Sequence, residues 1–459
     1  MENLVYLQKN YFNKLNNPLK LDINYRIKLL KNLKYTISKY EKEIEICIKE
    51  DLAREEKNTY FIETAPLLLE LNYIIKNLKK WAKVKNESTP LAFLGYESKI
   101  QYSPYGVTLI ISPWNYPFLL ALSPLIGAIS AGNCVILKPS EYCPKTSSLI
   151  KKIINEVFPK EIAEVVLGDY HKVNELIDLK MDYIFFTGST SVGEIIMEKA
   201  AKNLTPISLE LGGKSPCIFE KTANLNLGIK RLIWGKTTNA GQTCIAPDYV
   251  LIEENLLENF LKIFKKSIKD MFTEEPIKCE NYQPIINNKN FERILKYLEN
   301  QNIIFGGKYD KSRLKIEPTL ILNPSLNSPV MKDELFCPIL PIITYKNKNE
   351  IYEIIQKNPN PLSIYIFSKN KNFQNEIIKN IAFGGCTINS TLFHTANFYM
   401  PFGGIGKSGI GNYHGKYSFE TFSHKKSIFK ATDIIDNPIK YPPYKHFEII
   451  QKILKMFLK

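Results

Sequence analysis

Paired cysteines are missing from this chain. Its eight cysteines stand singly at Cys47, Cys134, Cys143, Cys217, Cys244, Cys279, Cys337 and Cys386, with no CxxC spacing and far below the density of a disulfide scaffold. Reduced thiols fit that usage, and with them a cytoplasmic setting. The five histidines are equally scattered; HExxH and Cys/His ligand clusters do not occur, so no metal is expected. Long apolar runs are lacking too. The most apolar window, Tyr116 to Ala131, falls short of the roughly 20 residues that cross a bilayer, contains Pro117 and Pro124, and reads as a buried core helix. The N-terminal stretch MENLVYLQKNYFNKLNN has neither the basic start nor the apolar segment of a secretory signal, so export is not expected. No serine sits in GxSxG, and repeats and low-complexity blocks are absent.

What is present is an ordinary globular composition. Of 459 residues, 44% are apolar, 23% charged and 12% aromatic, enough for a large core and for two to four domains. Lys and Arg number 61 against 46 Asp and Glu, a net charge of +15. Such a balance raises non-specific attraction to nucleic acid and anionic lipid, but says little about fold or chemistry. Without a recognisable nucleic-acid module, no specific nucleic-acid partner is expected.

Apolar residues at Ile27, Leu30, Leu33, Ile37, Tyr40, Ile44, Ile48 and Leu52 predict one amphipathic helix from Arg26 to Leu52. A second helical pattern runs from Phe61 to Val84 and ends in the turn-like NESTPL, Asn86 to Leu91. Beyond a boundary near residue 85, short β-branched runs alternate with helix-length segments: Gly106 to Ile111, Cys134 to Leu137, Ala163 to Leu167, Tyr183 to Phe186 and Ile207 to Leu211. That alternation calls for a doubly wound parallel sheet, whose ligands bind outside the carboxyl ends of the strands. Asn115, Lys138, Gly188 and Gly212 stand there. A second α/β alternation runs from Pro216 to about Asn389, including a long helix from Glu254 to Met271. The tail after Tyr444 places Phe447, Ile450, Leu454 and Phe457 at helical spacing, with Lys445, Lys452, Lys455 and Lys459 on other faces: a short basic amphipathic helix.

Each residue able to carry chemistry has an ordinary alternative. Gly188 and Gly193 in FTGSTSVGEI stand between a strand and a helix, where free N–H groups receive phosphate, but glycine also serves such turns for steric reasons. Cys244 lies in the loop NAGQTCIAPD, unlike Cys47, Cys134 and Cys217 in their apolar runs; a nucleophile there needs a base or a lowered pKa. Glu210 in SLELGG is either a desolvated carboxylate suited to base chemistry or a charge on an exposed strand face. Asn115, braced between Pro113 and Pro117, is either a fixed amide donor or a turn residue. Lys138 and Glu141 could bond ribose hydroxyls or be solvated, and His171 and His414 read as surface or structural residues.

The order and spacing of SPWNYP, GNCVILKPSE, FTGST with Gly193, LELGGKSP, GQTCIAPDYV, ELFCP and PFGGIGKSGIG resemble the NAD(P)-dependent aldehyde dehydrogenase superfamily, over residues 112 to about 411. The flanks, with YPPY at Tyr441 to Tyr444, resemble its class 3, fatty-aldehyde branch. The resemblance implies a Rossmann-like cofactor domain (1–85 and 103–211), a second α/β catalytic domain carrying the nucleophile (212–394), and a small bridging sheet for oligomerisation (86–102 and 395–459). It also implies that Cys244 attacks the aldehyde carbonyl, that Asn115 and the Cys244 N–H hold the oxyanion, and that Glu210 activates the water that hydrolyses the thioester. For the cofactor it implies Lys138 and Glu141 on the adenine ribose, Gly188, Ser189 and Val192 at the pyrophosphate, Glu334 and Phe336 as the nicotinamide-ribose clamp, and Trp114 and Leu211 nearby. Asn389 and Phe402 become pocket-lining candidates.

Glu141 near a 2′-hydroxyl disfavours a 2′-phosphate, so NAD is preferred, with NADP the alternative. Class 3 relatives are typically dimers, and a homodimer is expected. The family's clamp motif reads ExFGP, and Cys337 replaces its glycine; if that position needs φ > 0, cysteine adds strain there. The substrates implied are hydrophobic medium- or long-chain aliphatic, or aromatic, aldehydes. Two uses of the terminal helix are weighed: a cover over the substrate entrance, or a peripheral contact with anionic membrane. Two rival functions are a CoA-acylating aldehyde dehydrogenase, against which Glu210 argues, and a non-catalytic basic binding protein on the same fold, supported only by the charge.

Overall fold

The computed structural model describes residues 1–457 other than 91, 92, 94, 435, 437–439 and 446. Leu91 of the expected turn and Lys459 of the basic tail lie outside the described residues, as do the side chains of Ile450, Leu454 and Phe457.

Helices fill the first 81 residues, but not as one rod where one was expected. Ile23–Lys39 and Glu41–Leu52 are separate helices divided at Tyr40, whose backbone (φ −97°, ψ 11°) leaves the helical region. The Tyr40 hydroxyl donates to Glu156 Oε2 at 2.8 Å and Lys39 Nζ bonds Glu156 Oε1 at 2.7 Å, tying the break to the neighbouring Pro144–Val157 helix. Both halves bury the predicted stripe apart from Ile27 and Tyr40, which are half-buried, so the apolar period carries on across the break. A π-helical turn, Tyr60–Thr64, then leads into Ala65–Trp81.

The expected parallel sheet has the strand order Gly409–Ile410, Ile207–Glu210, Tyr183–Thr187, Val107–Ile111, Cys134–Lys138, Ala163–Val165. All neighbours are parallel except the Gly409–Ile410 edge, and the central strands are buried on both faces, as continuous apolar runs require. From Val107–Ile111 the chain winds outward through Cys134–Lys138 and Ala163–Val165, then returns to the other side at Tyr183–Thr187. The crevice of this reversal lies between the ends of the Val107–Ile111 and Tyr183–Thr187 strands, where ligands of open α/β sheets bind.

The core helix forms as Leu119–Ala131, carries Pro124 inside it and is buried from Ala121 to Ala131. Gly132 ends it at φ 100°, donating to Ala128 and Ile129 carbonyls; a side chain there would also press on the Leu19 carbonyl and the Arg26 guanidinium.

A second sheet of seven strands runs Ile303–Phe305, Thr319–Leu322, Ile339–Tyr345, Tyr249–Glu253, Pro216–Phe219, Ser363–Phe367, Gly385–Ile388, parallel except at its first pair. Its core gathers Ile218, Tyr249, Leu251, Ile339, Ile364 and Ile366. Both sheets belong to one compact unit, Met1–Trp81 with Pro104–His424.

The other unit comprises Ala82–Ser103 and Lys425–Lys459. In it Lys85–Glu87 pairs antiparallel with the strand beginning at Glu97, and Phe93, Tyr96 and Phe429 form an aromatic cluster. Phe447–Phe457 is helical, with Phe447, Ile449 and Met456 exposed. Among the described residues no helix is long and apolar enough to cross a membrane.

Candidate active site

Glu210 is the last residue of its strand and is buried, with both carboxylate oxygens lacking a hydrogen-bond partner among the described residues. The exposed-face alternative is thereby removed. Desolvation pushes its carboxyl well above the usual range.

Cys244 is reached through a strained approach. The Leu225–Thr237 helix ends, and Asn239 (φ 53°), Ala240 (φ 52°) and Gly241 (φ 75°) follow in the left-handed region. For the two non-glycine residues this costs roughly 1–2 kcal/mol each, so the surroundings must impose it. Gly241 cannot be replaced cheaply, because a Cβ would overlap the Cys337 carbonyl. The Gln242 side chain closes the loop: Nε2 donates to Asn239 O at 3.0 Å and Pro284 O at 3.1 Å, and Oε1 accepts from Ile286 N at 3.0 Å. The Cys244 thiol is raised by burial, then by the Glu334 and Glu210 carboxylates; its own N–H and that of Ile245 act in the opposite sense.

Asn115 faces this loop. Its Nδ2 donates to the Gln242 carbonyl at 3.0 Å, leaving the second amide proton for another acceptor, and its Oδ1 accepts from Tyr116 N at 3.1 Å. Asn115 O receives Arg54 Nη2 at 2.6 Å and Asn239 Nδ2 at 3.1 Å. Arg54 and Glu63 form a wholly buried ion pair, and Glu63 Oε2 accepts from the Phe118 and Leu119 amides at 2.8 and 3.0 Å. Tyr116, with the Arg54 cation 5.0 Å from its ring centre, shares a 2.7 Å hydrogen bond with Thr243, and burial pushes its hydroxyl up to about 12.

The sequence reading missed Arg54, Glu63, Tyr116, Asn239 and Gln242. Arg54 stands among charged residues that look solvated, Glu63 is a single charge in a helical stretch, and only the polar flank of Cys244 hinted at Gln242.

The other predicted residues gather at the carboxyl ends of the first sheet. Lys138 Nζ, buried, bonds the half-exposed Glu141 Oε2 at 2.7 Å. Ser189 precedes the Thr190–Ala201 helix without a side-chain capping bond, and the N–H groups of Thr190, Ser191 and Val192 in its first turn have no partner among the described residues. Gly188 contributes room and no donor, since its N–H is committed to Glu210 O at 3.0 Å and a Cβ would strike the Phe186 ring. At Gly193 a Cβ would crowd the Leu211 side chain.

Glu334 lies over Gly212, where a Cβ would overlap its carboxylate, and its Oε1 is buried and unpartnered among the described residues. Burial, then Asp248, pushes the Glu334 carboxyl well up. Lys214 holds the segment by Asp248 Oδ2 at 2.6 Å and Asp333 O at 2.9 Å. Phe336 meets Trp114 edge to face at 5.6 Å. The strain expected at Cys337 is instead at Phe336, whose φ is 53°; Cys337 lies outside the left-handed region and its thiol is buried. The chain reverses one residue earlier than expected, so the replacement of glycine is tolerated. A helix N-terminus with free donors, an unpartnered carboxylate over a glycine and a Lys/Glu pair beside it suit a dinucleotide.

A cavity of about 550 Å³ opens onto Thr243, Cys244 and Ile245. Its apolar walls include Phe61, Leu120, Trp234, Phe393 and Phe402, with Trp234 and Phe393 stacked at 5.1 Å. Phe402 lines it as expected. Asn389 does not: its side chain is engaged by Ser368 N and O at 3.0 Å each. His414 lines the cavity and faces Glu70 Oε1 at 3.3 Å, so it is no surface residue. No cluster of His, Cys, Asp and Glu suited to a metal occurs among the described residues.

Comparison with known proteins adds the following. The family model for the aldehyde dehydrogenase family matches residues 16–428. A 4,4′-diaponeurosporen-aldehyde dehydrogenase of Staphylococcus aureus is 42% identical over 459 residues, 99% of either chain. Aldehyde dehydrogenase family 3 member A2 of Macaca fascicularis is 40% identical over 423 residues, 92% of this chain and 87% of that one. A solved structure described as the substrate-bound state of Staphylococcus aureus AldH superposes with a TM-score of 0.95 at 41% identity, over 99% of each chain.

Proposed function

The chain belongs to the aldehyde dehydrogenase family, close to its family 3 members, and oxidises aldehydes to acids; from that premise we propose its substrates, its cofactor and the residues that do the work. The substrates are hydrophobic aldehydes of medium or long chain, or aromatic ones. The observation that carries this is the apolar cavity with Cys244 in its lining. The name of the staphylococcal relative, which specifies a diaponeurosporen-aldehyde, agrees with it.

In this reading Cys244, its proton lost to solvent, attacks the carbonyl carbon as the thiolate; the S–C bond forms, the C=O π pair moves to oxygen, and the alkoxide of a thiohemiacetal results. The oxyanion is met by the uncommitted Asn115 amide proton and by the Cys244 N–H, donors held in place beforehand by the hydrogen bonds around them. Tyr116 and Arg54 brace the segment that presents Asn115. After hydride loss the carbon is bound to sulfur as a thioester. Glu210, its oxygens free of other partners, takes a proton from water that attacks this thioester, and the acid leaves. A carboxyl kept protonated at low pH by burial becomes a competent base as pH rises.

The family is NAD(P)-dependent, and the bound nicotinamide supplies the hydride acceptor. Thr190, Ser191 and Val192 amides would hold its phosphates, Lys138 and Glu141 the adenine ribose, and Glu334 with Phe336 the other ribose, with Trp114 and Leu211 packed alongside. We assign NAD over NADP, because Glu141 would repel a 2′-phosphate.

We further read residues 1–85 with 103–211 as the cofactor domain and 212–394 as the nucleophile domain, each built on its own sheet. Residues 86–102 and 395–459 form the bridging element of a cytoplasmic homodimer, although the part of it up to His424 belongs to the larger compact unit and Gly409–Ile410 lends an edge strand to the cofactor sheet. The basic terminal helix, with its exposed Phe447, Ile449 and Met456, either covers the substrate entrance or meets anionic membrane. Removing residues 445–459 separates these two: a changed chain-length preference supports the first, lost vesicle binding the second, and no change in either sinks both.

The deciding experiment follows reduced-cofactor formation from decanal with NAD and NADP separately, without CoA, for the intact protein and Cys244→Ala. Turnover in the first and none in the second is expected. Equal activity removes Cys244 from the mechanism, and turnover that appears only with CoA overturns the hydrolytic reading.

A further inference from the structure

One side-chain amide touches both halves of the site. Asn239 Nδ2 donates to Asn115 O at 3.1 Å and to Gln242 O at 3.0 Å. The first carbonyl belongs to the residue proposed to stabilise the oxyanion; the second lies two residues before the nucleophile. Asn239 is buried and left-handed, a conformation asparagine tolerates better than most residues. Both its amide protons are thereby used, and the donor group cannot serve one carbonyl without being fixed by the other.

We infer that Asn239 is a positioning residue that sets the separation between the Asn115 amide and Cys244, an inference that rests on the mechanism proposed above. Arg54 Nη2 satisfies Asn115 O independently at 2.6 Å, and Asn115 Nδ2 satisfies Gln242 O at 3.0 Å. Losing the Asn239 amide therefore strands neither carbonyl. What it removes is the link, and Asn115 alone must then carry the Gln242 carbonyl while also meeting the oxyanion.

The test uses the full chain with Asn239→Gly, which keeps the left-handed backbone and deletes the donor, and Asn239→Asp, which keeps shape and loses both protons. With decanal, kcat falls about 10- to 100-fold in either, since displacement of a reacting group by about 1 Å has effects of that order. KM for the cofactor stays put, and so does the pH at which kcat rises.

Wild-type kcat in Asn239→Gly overturns the inference, as does a loss expressed mainly in cofactor KM. If Asn239→Gly does not fold, the same criteria apply to Asn239→Asp. Failure of the underlying mechanism is distinguishable, for then wild type and Cys244→Ala turn over alike.

Discussion

The Gly188 N–H donates to the main-chain carbonyl of Glu210 at 3.0 Å. The turn assigned to phosphate and the strand end carrying the proposed base are therefore one ledge. A change at either is felt by the other.

Glu210→Gln keeps the shape of that ledge and removes the base. Steady-state kcat with decanal drops about 10²- to 10⁴-fold, the range of general-base contributions, while the first-turnover burst of reduced cofactor survives. Rapid mixing checks both. A lost burst would place Glu210 before thioester hydrolysis.

The same group makes a stability statement. Burial raises its folded pKa above the unfolded value, so the folded chain binds the extra proton. Its penalty is absent below the unfolded pKa and grows as pH rises through the folded one. Thermal melts of Glu210→Gln against wild type should coincide in acid, with the variant the more stable in alkali.

Cys244 is held in thiol form by burial, then by Glu334 and Glu210. Without ligands, its alkylation by iodoacetamide should still climb with pH beyond where an exposed cysteine has levelled off. Glu334→Gln should move the profile to lower pH. Mass spectrometry of the Cys244 peptide reads the rate, and an unmoved profile would discount the Glu334 charge.

Glu141→Gln should raise kcat/KM for NADP relative to NAD by about tenfold, the equivalent of about 1.4 kcal/mol. Lys138, now without its 2.7 Å partner, is free to meet the added phosphate. An unchanged ratio would move the selectivity elsewhere.

Arg54→Met leaves Glu63 buried without its cation, which typically costs about 3–5 kcal/mol. Urea unfolding should show that loss, and Arg54→Met/Glu63→Gln should recover part of it. Phe393→Ala, at an exposed wall of the cavity, should leave urea stability alone and raise KM for decanal several-fold over that for acetaldehyde.

Periodicity and β-branched runs were enough to place the five parallel strands of the first sheet and the Leu119–Ala131 core helix, because a strand buried on both faces has to be apolar throughout; the Gly409–Ile410 edge, two residues in a glycine-rich loop, gave no such signal. The break at Tyr40 was hidden because both helices bury the same stripe. Short motifs singled out Cys244, Glu210 and Asn115, and the structure sets Asn115 against the loop that leads to Cys244. The Arg54–Glu63 pair was not, since a charge buried by residues 60 positions away looks like any surface charge in its own neighbourhood. Asn389 was misjudged for the same reason, and of the two readings of His414, surface or structural, packing across the chain selects the structural one.

The stack of Trp234 on Phe393 gives the molecule its own optical probe. Of three tryptophans, Trp81 is packed against Tyr73 and Phe419, Trp114 meets Phe336, and Trp234 borders the cavity. Aldehyde arriving in the cavity should quench or shift the emission of Trp234, and reduced nicotinamide beside Trp114 should accept its excitation. Two ligands can thus be followed by light at two different indoles, without a label attached to either.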